Sequence, residues 1–388
     1  MDAGARSHTG ADTPVVERNA AIAHDAALDG LRAVAVGLVV LTHAGFLTGF
    51  TTSGGLLGRL FGRGDFGVLL FFALSAYLLH RNFLRAEAAA RPLAIGRYLA
   101  RRAARVLPAY WVTLAVVTIV VHPPARAVVL NALAGQVYVS DAIISEFSQS
   151  WSVATELSFY LALPFLVIVL RAVRTRGSLG PTVLLLTFAA LSLVGLAASR
   201  PVSLGEDVLP ERLLTGTAPA FLLGMLLAEA GFARNVVSRL LMSWATRAGA
   251  CVTIAFAVYV LATTPVTGSL LLAPNHGPQL ATRVLLGTIV SIALMLPLTL
   301  GSGYQLRRVL AQPWVRWTGE VSYGIFLWHL PVFMALMAVF GWTPFTGGLL
   351  PLLALGVPVT LGLAWLSHRW LELPFMRRAA RLGRHSGG

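Results

Sequence analysis

The sequence predicts an all-α, polytopic integral membrane protein with about ten transmembrane helices and both termini in the cytoplasm. Hydrophobic residues make up 56% of the 388 positions and charged residues only 12%. Soluble domains carry about 25% charged residues, so this chain has too little charge to cover a surface that faces water. The lipid bilayer is therefore its predicted surroundings. We expect a multi-pass protein of the cell (inner or plasma) membrane.

Ten stretches reach the roughly 20 mainly apolar residues that a membrane-spanning helix needs. They are 31–50, 66–84, 104–122, 150–170, 181–199, 213–231, 247–264, 281–300, 319–340 and 348–369. The apolar segment 127–140 is too short to span and is predicted to be re-entrant or interfacial. We divide the chain into a polar cytoplasmic tail (1–27), one transmembrane domain (28–372) and a basic cytoplasmic tail (373–388).

The distribution of arginine predicts the orientation. All 30 basic residues are arginine, and the stretch between the second and third spans holds seven of them: Arg81, Arg85, Arg91, Arg97, Arg101, Arg102 and Arg105. Short loops rich in basic residues stay in the cytoplasm. Because the arginines lie between apolar segments, they indicate topology control and headgroup contact, and nucleic acid is not a predicted partner. The single cysteine, Cys251, excludes an intrachain disulfide.

Ionisable residues inside membrane spans are costly and are functional candidates by default. Arg32 and His43 lie eleven residues apart on the first predicted helix, about three turns and about 16 Å along the axis, so they share one face. A guanidinium binds phosphate or carboxylate, and an imidazole accepts a proton near neutral pH. The alternative is structural, with Arg32 reaching the headgroups and His43 bonded to a neighbouring helix.

Glu156 is the only acidic residue of the fourth predicted span, five residues after Trp151. A carboxylate inside the membrane needs a partner. We expect Glu156 to orient His43 or to bind the hydroxyl of an acceptor, and an ion pair that fixes helix packing is the structural alternative. Trp151 is typical of an aromatic anchor at the membrane interface.

Further candidates lie at the third and ninth predicted spans. Arg102 and Arg105 are three residues apart, so they lie on one face at the start of the third span, where they suit the phosphates of a nucleotide; a topology signal explains the charge equally well. His329 is a second imidazole within the membrane. Two histidines without a third ligand do not favour a metal site, and we expect no metal.

Six motifs in order resemble the family 3 membrane acyltransferases, which include bacterial O-antigen and exopolysaccharide O-acetylases. The motifs are Leu28 to Arg32 with His43, Gly67 to Ser75, Arg102 to Pro108, Trp151 to Glu156 with Tyr160, Ser322 to His329, and Glu372 to Pro374. Ala76 departs from the family pattern, which usually has glycine after the serine. The chain ends soon after the tenth predicted span, so we expect a member without a further soluble domain.

The resemblance implies transfer of an acyl group, acetyl by default, from cytoplasmic acyl-CoA to a sugar hydroxyl. Arg32, Arg102 and Arg105 would bind the donor, and His43, supported by Glu156, would be the general base. Ser75, Trp151, Tyr160, Ser322, Tyr323 and His329 are the implied substrate-binding or supporting residues. Ser75 is also a candidate carrier of a covalent acyl group. The acceptor would be a surface glycan, a glycolipid or a glycosylated product such as a macrolide.

A proton-coupled transporter of a small molecule is the alternative function, because transporters also carry histidine, glutamate and arginine within spans. Internal repeats with helices broken at matched positions would indicate that class. The sequence contains no such matched pair, although Pro297 and Pro331 lie within the eighth and ninth predicted spans. We therefore predict the transferase.

Overall fold

In lipid, a stretch of apolar residues satisfies its backbone hydrogen bonds only within a helix or a closed barrel, and this chain forms helices. The computed structural model of the protein describes residues 25–200, 208–269 and 275–382, and these ranges contain no β-strand. We number the main helices α1 (Ala26–Leu47), α2 (Phe66–Ala88), α3 (Ile95–Val121), α4 (Trp151–Arg174), α5 (Gly180–Ala197), α6 (Leu214–Ala230), α7 (Ala248–Leu261), α8 (Gly277–Thr299), α9 (Ser322–Phe340) and α10 (Leu349–Ser367).

The number of spans agrees with the prediction. In the described part of the chain, nine helices are long and apolar enough to cross a membrane. The remaining one, α7, has only 14 residues, and it follows the helix Val236–Ala245 after a bend of 93°. The bent pair counts as a tenth span if it is taken as one unit. The chain is thus a multi-pass, all-α membrane protein, and the cytoplasmic placement of its termini stays a prediction.

Helix α2 lies at the centre of the bundle, where it contacts α1, α6 and α8. Its segment is 72% buried, as is the segment that contains α6, whereas the segment that contains α10 is only 22% buried. Helix α9 packs between α1 and α10. Ser75 of α2, Glu156 of α4 and His329 of α9 lie inside this bundle, and they form part of the site described below.

Small residues allow α2 and α6 to approach closely, as is common between membrane helices. A Cβ atom built on Gly224 of α6 would lie 2.3 Å from the carbonyl oxygen of Ala73 on α2. We expect Gly224→Ala to lower the free energy of unfolding by about 2 kcal/mol, because the two backbones must separate. Thermal unfolding of the purified protein in detergent measures the change.

Gly362 on α10 provides the matched control, because a Cβ there meets nothing within 4 Å. Gly362→Ala should leave the unfolding temperature unchanged or raise it slightly, since alanine favours the helix more than glycine does. If Gly224→Ala and Gly362→Ala unfold at the same temperature, the backbones of α2 and α6 can separate without a loss of stability.

The segment between α3 and α4 folds back against the bundle instead of crossing it. Its helix Ala125–Ala132 has eight residues, too few to span the bilayer. The buried amide of Asn131 donates to the carbonyl oxygens of Ala127 (2.9 Å) and Ala142 (2.7 Å), and Gln149 donates to Leu327 O of α9 at 2.8 Å. These bonds satisfy buried polar groups and hold the segment as a cap on one end of the bundle.

The two ends of the chain are only partly described. Of the predicted tail 1–27, residues 1–24 lie outside the described residues, and Asp25 caps α1 by accepting a hydrogen bond from the amide of Ala27. After α10 a π-helical turn, His368–Glu372, leads into the helix Leu373–Leu382, which packs against α3. The helix thus continues through the predicted boundary at 372, and the predicted division into a domain and two tails stays a prediction.

Candidate active site

Most of the predicted site residues surround one cavity inside the bundle. We call it the arginine cavity; its volume is about 80 Å³. Its polar lining is Arg32 of α1, Ser75 of α2, Arg102 and Arg105 of α3, Ser152, Glu156 and Tyr160 of α4, and Ser322 and Tyr323 of α9. Five helices therefore bring nine polar side chains to one place, in an otherwise apolar interior. Eight of these nine were predicted from the sequence, and Ser152 is the addition.

The three arginines lie at the end of the cavity where α1 and α3 begin. The guanidinium of Arg32 lies 3.3 Å from Oδ1 of Asp29, one turn earlier on α1. Arg102 and Arg105 line the cavity together, as their spacing on one helical face predicts. Arg105 also contacts the sulfur of Met376 in the C-terminal helix. The nearby carboxylates are Asp29 and Glu156, so the three cations still leave an excess of positive charge, which favours an anionic ligand at this end.

Glu156 is the centre of a hydrogen-bonded group deeper in the cavity. Ser75 Oγ and Tyr160 OH each donate to Glu156 Oε1 at 2.6 Å, and the two hydroxyls lie 3.3 Å apart. The hydrogen bonds of Glu156 among the described residues go to these partners and not to His43. The role of orienting His43 that the sequence suggested for Glu156 thus has no contact to support it, while the role of binding a hydroxyl stays a prediction.

His43 pairs with the second predicted histidine. Nε2 of His329 lies 3.2 Å from Nδ1 of His43, and the ring centroids are 4.9 Å apart. His329 is fully buried and His43 is half-buried. The described residues contain no group of three or more histidine, cysteine, aspartate or glutamate side chains that could hold a metal. The short distance between the two rings places two imidazoles in direct contact, on α1 and α9.

The backbone determines which nitrogen of each histidine carries the proton. Nδ1 of His43 lies 2.9 Å from Val39 O, and Nδ1 of His329 lies 3.1 Å from Ile325 O. A carbonyl oxygen only accepts hydrogen bonds, so each Nδ1 is the donor. Nε2 of neutral His329 then accepts from His43. Nε2 of His43 keeps its lone pair and has no hydrogen-bond partner among the described residues, as a general base requires.

The remaining predicted residues divide between two places. Tyr323 donates its hydroxyl proton to Val106 O at 2.9 Å, so it joins α9 to α3 beside the arginine cavity, where the buried Ser322 also lies. Trp151 lies in a second cavity of about 250 Å³, which we call the tryptophan cavity. Thr42, the neighbour of His43, also lines it, and Val68 lines both cavities.

Sequence reasoning missed two groups of polar residues. One is a buried ion cluster in which Glu229 accepts from His80 at 2.7 Å and from Arg174 at 2.6 Å. The other is the charged lining of the tryptophan cavity: Arg63, Asp65, Glu211, Arg212 and Arg283. Glu229 was visible as an acid within a span, but its partners were not. The second group lies at the ends of predicted spans, where charge is ordinary, so no signal in the sequence marked it.

The fold and the cavities define a multi-pass membrane protein with a polar site inside its helical bundle. The chain belongs to the acyltransferase family: the family profile described as acyltransferase domain (Acyl_transf_3) matches residues 25–369. This confirms the family that the six motifs indicated. No solved structure matches the chain.

Three curated proteins illustrate the relationship. The chain is 28% identical to the peptidoglycan O-acetyltransferase OatA of Listeria monocytogenes, over 90% of this chain and 55% of that protein. It is 27% identical to the putative peptidoglycan O-acetyltransferase YrhL of Bacillus subtilis, over 91% and 55%. A putative membrane-bound transacylase, BcsY of Komagataeibacter xylinus, is 29% identical over 38% of this chain and 39% of that protein. The chain spans about half the length of the two peptidoglycan O-acetyltransferases that it matches.

Proposed function

We propose that the protein is an O-acyltransferase that moves an acyl group, acetyl by default, from acyl-CoA to a hydroxyl of a sugar. The observation that carries the proposal is the arginine cavity, where three arginines at one end lead to Ser75, Glu156 and Tyr160. The histidine pair adjoins this cavity through Phe326, which lines it and whose ring centroid lies 5.9 Å from that of His329. The interior of the bundle thus offers, in order, arginines for an anion, a polar cavity and a histidine that can accept a proton.

The donor fits the distribution of charge. Arginine forks bind phosphate groups in bidentate fashion, and acyl-CoA carries several phosphates far from its thioester. A cavity of about 80 Å³ is well below the ~300–1,000 Å³ of ordinary ligand pockets. It therefore suits the narrow thioester arm, while the nucleotide would remain at the mouth near Arg102 and Arg105. The tight cavity also favours a short acyl group.

The chemistry follows from the protonation of His43. Its Nε2 would accept the proton of the acceptor hydroxyl while the hydroxyl oxygen attacks the thioester carbon. A new ester bond forms, the carbon–sulfur bond breaks, and the thiolate of coenzyme A leaves and gains a proton. His329, which accepts from His43 Nδ1, would keep the histidine in the productive tautomer. Glu156 would hold Ser75 and Tyr160 in place beside the thioester.

Ser75 supports a second route for the same reaction. Its hydroxyl donates to Glu156 at 2.6 Å, and a serine bonded to a base is the arrangement of an activated nucleophile. In that route Ser75 carries the acyl group before the sugar takes it. A Ser75→Ala variant separates the routes, because direct transfer tolerates the loss of the hydroxyl and the covalent route does not.

The acceptor class is supported by the relatives. Two of them are named peptidoglycan O-acetyltransferases, and peptidoglycan presents sugar hydroxyls. We therefore propose a sugar hydroxyl of a cell-surface glycan, with glycolipids and glycosylated products such as macrolides as further members of the class.

The donor proposal is tested with purified protein and radiolabelled acetyl-CoA. Arg102→Ala should raise the KM for acetyl-CoA about 10- to 100-fold, because a hydrogen bond to a charged group contributes about 1.5–3 kcal/mol. The neighbouring Arg101 is exposed and does not line the cavity, so Arg101→Ala is the matched control and should change KM less than threefold. Equal effects would show that general positive charge, not the cavity, binds the donor. If radiolabelled acetyl-CoA does not bind to the unaltered protein in an equilibrium assay, the donor itself is rejected.

A further inference from the structure

A large groove lies between α4, α5 and α6. We call it the lateral groove; its volume is about 790 Å³. Phe165 of α4 and Leu191 of α5 line it and are 71% and 59% exposed, so the groove opens at the apolar outer surface of the membrane-spanning helices. The hydroxyl of Ser192 in its wall donates to Thr215 O. The groove thus offers a mainly apolar surface that suits a hydrocarbon chain, and nothing in the proposed donor site uses it.

Three stacked aromatic rings separate the lateral groove from the arginine cavity. Phe72 of α2 lines the arginine cavity, whereas Phe159 of α4 and Phe221 of α6 line the lateral groove. The ring of Phe221 lies between the other two. Its centroid is 4.4 Å from that of Phe72 and 4.2 Å from that of Phe159, and the ring planes are inclined by only 20° and 19°. We call these three residues the phenylalanine stack, and it forms a partition between the two spaces.

The fold holds the phenylalanine stack in place. Each of its rings is at most 2% exposed, and side chains in a closely packed interior turn only if their neighbours move. Gly224, one turn after Phe221, approaches α2 so closely that a Cβ atom there would lie 2.3 Å from the carbonyl oxygen of Ala73, the residue after Phe72. The distance between α2 and α6, and with it the stacking of Phe72 on Phe221, is therefore fixed by the two backbones.

The phenylalanine stack lies beyond the polar group at the centre of the proposed chemistry. Ser75, bonded to Glu156 at 2.6 Å, follows Phe72 by three residues on α2. Since α2 ends at Ala88 and α3 begins at Ile95, the end of α2 lies on the side of the arginines. Phe72 is then about 4.5 Å further from the arginines than Ser75. A thioester beside Ser75 would therefore direct the far end of its acyl group towards the ring of Phe72.

We propose that the phenylalanine stack sets the length of the acyl group that the protein accepts. The ring of Phe72 closes the arginine cavity, so an acetyl group fits and a longer chain meets the ring. Behind it, Phe221 and Phe159 keep the arginine cavity from joining the lateral groove, which has room for the hydrocarbon of a longer acyl group. This inference rests on the proposed function and adds the residues that determine its choice of acyl group.

Removal of the central ring should join the two spaces. In Phe221→Ala, the ring of Phe72 can turn into the vacated volume, and the arginine cavity then opens into the lateral groove. Each methylene group that moves from water into apolar surroundings strengthens binding about fourfold. Hexanoyl-CoA, whose acyl group is four carbons longer than acetyl, should therefore gain affinity in this variant, while acetyl-CoA gains none.

The experiment measures the binding of acyl-CoA to the full chain in detergent, which requires no acceptor. Radiolabelled acetyl-CoA is displaced at equilibrium by unlabelled acetyl-, butyryl- or hexanoyl-CoA, and each competitor gives a Kd. We expect the unaltered protein to bind hexanoyl-CoA at least tenfold more weakly than acetyl-CoA. In Phe221→Ala the ratio of the two Kd values should shift at least tenfold in favour of hexanoyl-CoA. Because both values come from one preparation, the ratio does not depend on the fraction of protein that is folded.

Two further variants make the result specific. Phe221→Leu removes less of the ring and covers the case that Phe221→Ala does not fold. It should shift the ratio of Kd values for butyryl-CoA and acetyl-CoA at least threefold in favour of butyryl-CoA. Phe188 of α5 also lines the lateral groove, but it is 42% exposed and lies outside the phenylalanine stack. Phe188→Ala is therefore the matched control and should keep the ratios of the unaltered protein.

The outcomes separate this inference from the proposed function. If the unaltered protein does not bind radiolabelled acetyl-CoA, the proposed donor is wrong and the length limit falls with it. If the unaltered protein binds acetyl-CoA and hexanoyl-CoA equally well, the donor stands and the phenylalanine stack does not limit the chain. If neither Phe221 variant shifts the ratios, or if Phe188→Ala shifts them as much as Phe221→Ala, another part of the molecule sets the length.

Discussion

His43→Gln is expected to lower the rate of acyl transfer about 10²- to 10⁴-fold, the usual contribution of a general base. The substitution keeps a polar side chain on α1 but removes the basic Nε2, whose lone pair is set free by the bond from Nδ1 to Val39 O. The KM for acetyl-CoA should change little, because the arginines that we propose as the donor site lie near the start of α1 and α3, away from His43. Single-turnover transfer from labelled acetyl-CoA, with the protein at equal concentration, measures the effect.

His122 offers the control for this experiment. It ends α3 in an exposed position and lines neither cavity, so His122→Gln should retain full activity. If His43→Gln transfers the acyl group as fast as the unaltered protein, His43 is a structural histidine. The hydrogen bond to His329 would then be its function, which is the alternative that the sequence left open.

The second large effect is expected on stability, at the buried ion cluster. Glu229 is 2% exposed and joins α6 to His80 of α2 and Arg174 of α4. Glu229→Leu should lower the free energy of unfolding by about 3 kcal/mol, because removing one partner of a buried pair leaves a charge without compensation. In detergent, the unfolding temperature of the purified variant should be several degrees lower than that of the unaltered protein.

Glu87 provides a graded comparison within the same cluster. It also binds Arg174, at 2.7 Å, but its side chain is 27% exposed. Glu87→Gln should cost less than 1 kcal/mol, since water screens and replaces an exposed ion pair. An unfolding temperature of Glu229→Leu equal to that of Glu87→Gln would mean that burial does not strengthen this cluster.

The sequence alone determined the class of fold and most of the candidate site. Its low charge and repeated apolar segments required lipid around the chain and helices within the lipid. The rarity of ionisable residues in spans made Arg32, His43, Glu156 and His329 visible. Helical periodicity correctly placed Arg102 and Arg105 on one face, because that inference concerns neighbours on a single helix.

Contacts between helices were decided only by the tertiary structure. The sequence left open whether Glu156 orients His43 or binds a hydroxyl; packing places Glu156 against Ser75 and Tyr160, and His43 against His329. Which helices adjoin depends on close backbone contacts such as that of Gly224 with Ala73, and hydropathy carries no information about them. The sequence did not show the tautomer of His43 for the same reason, since the tautomer follows from the distance between His43 Nδ1 and Val39 O.

The tryptophan cavity shows the same division most clearly. Arg63, Asp65, Glu211 and Arg283 lie at the ends of apolar segments, where charged residues ordinarily face water. Only the folded bundle brings them into one cavity, because the helices that they belong to or adjoin are neighbours there. The sequence thus determined that lipid surrounds the chain, where the helices lie and which residues are able to do chemistry. The packing of those helices determined which of these residues meet.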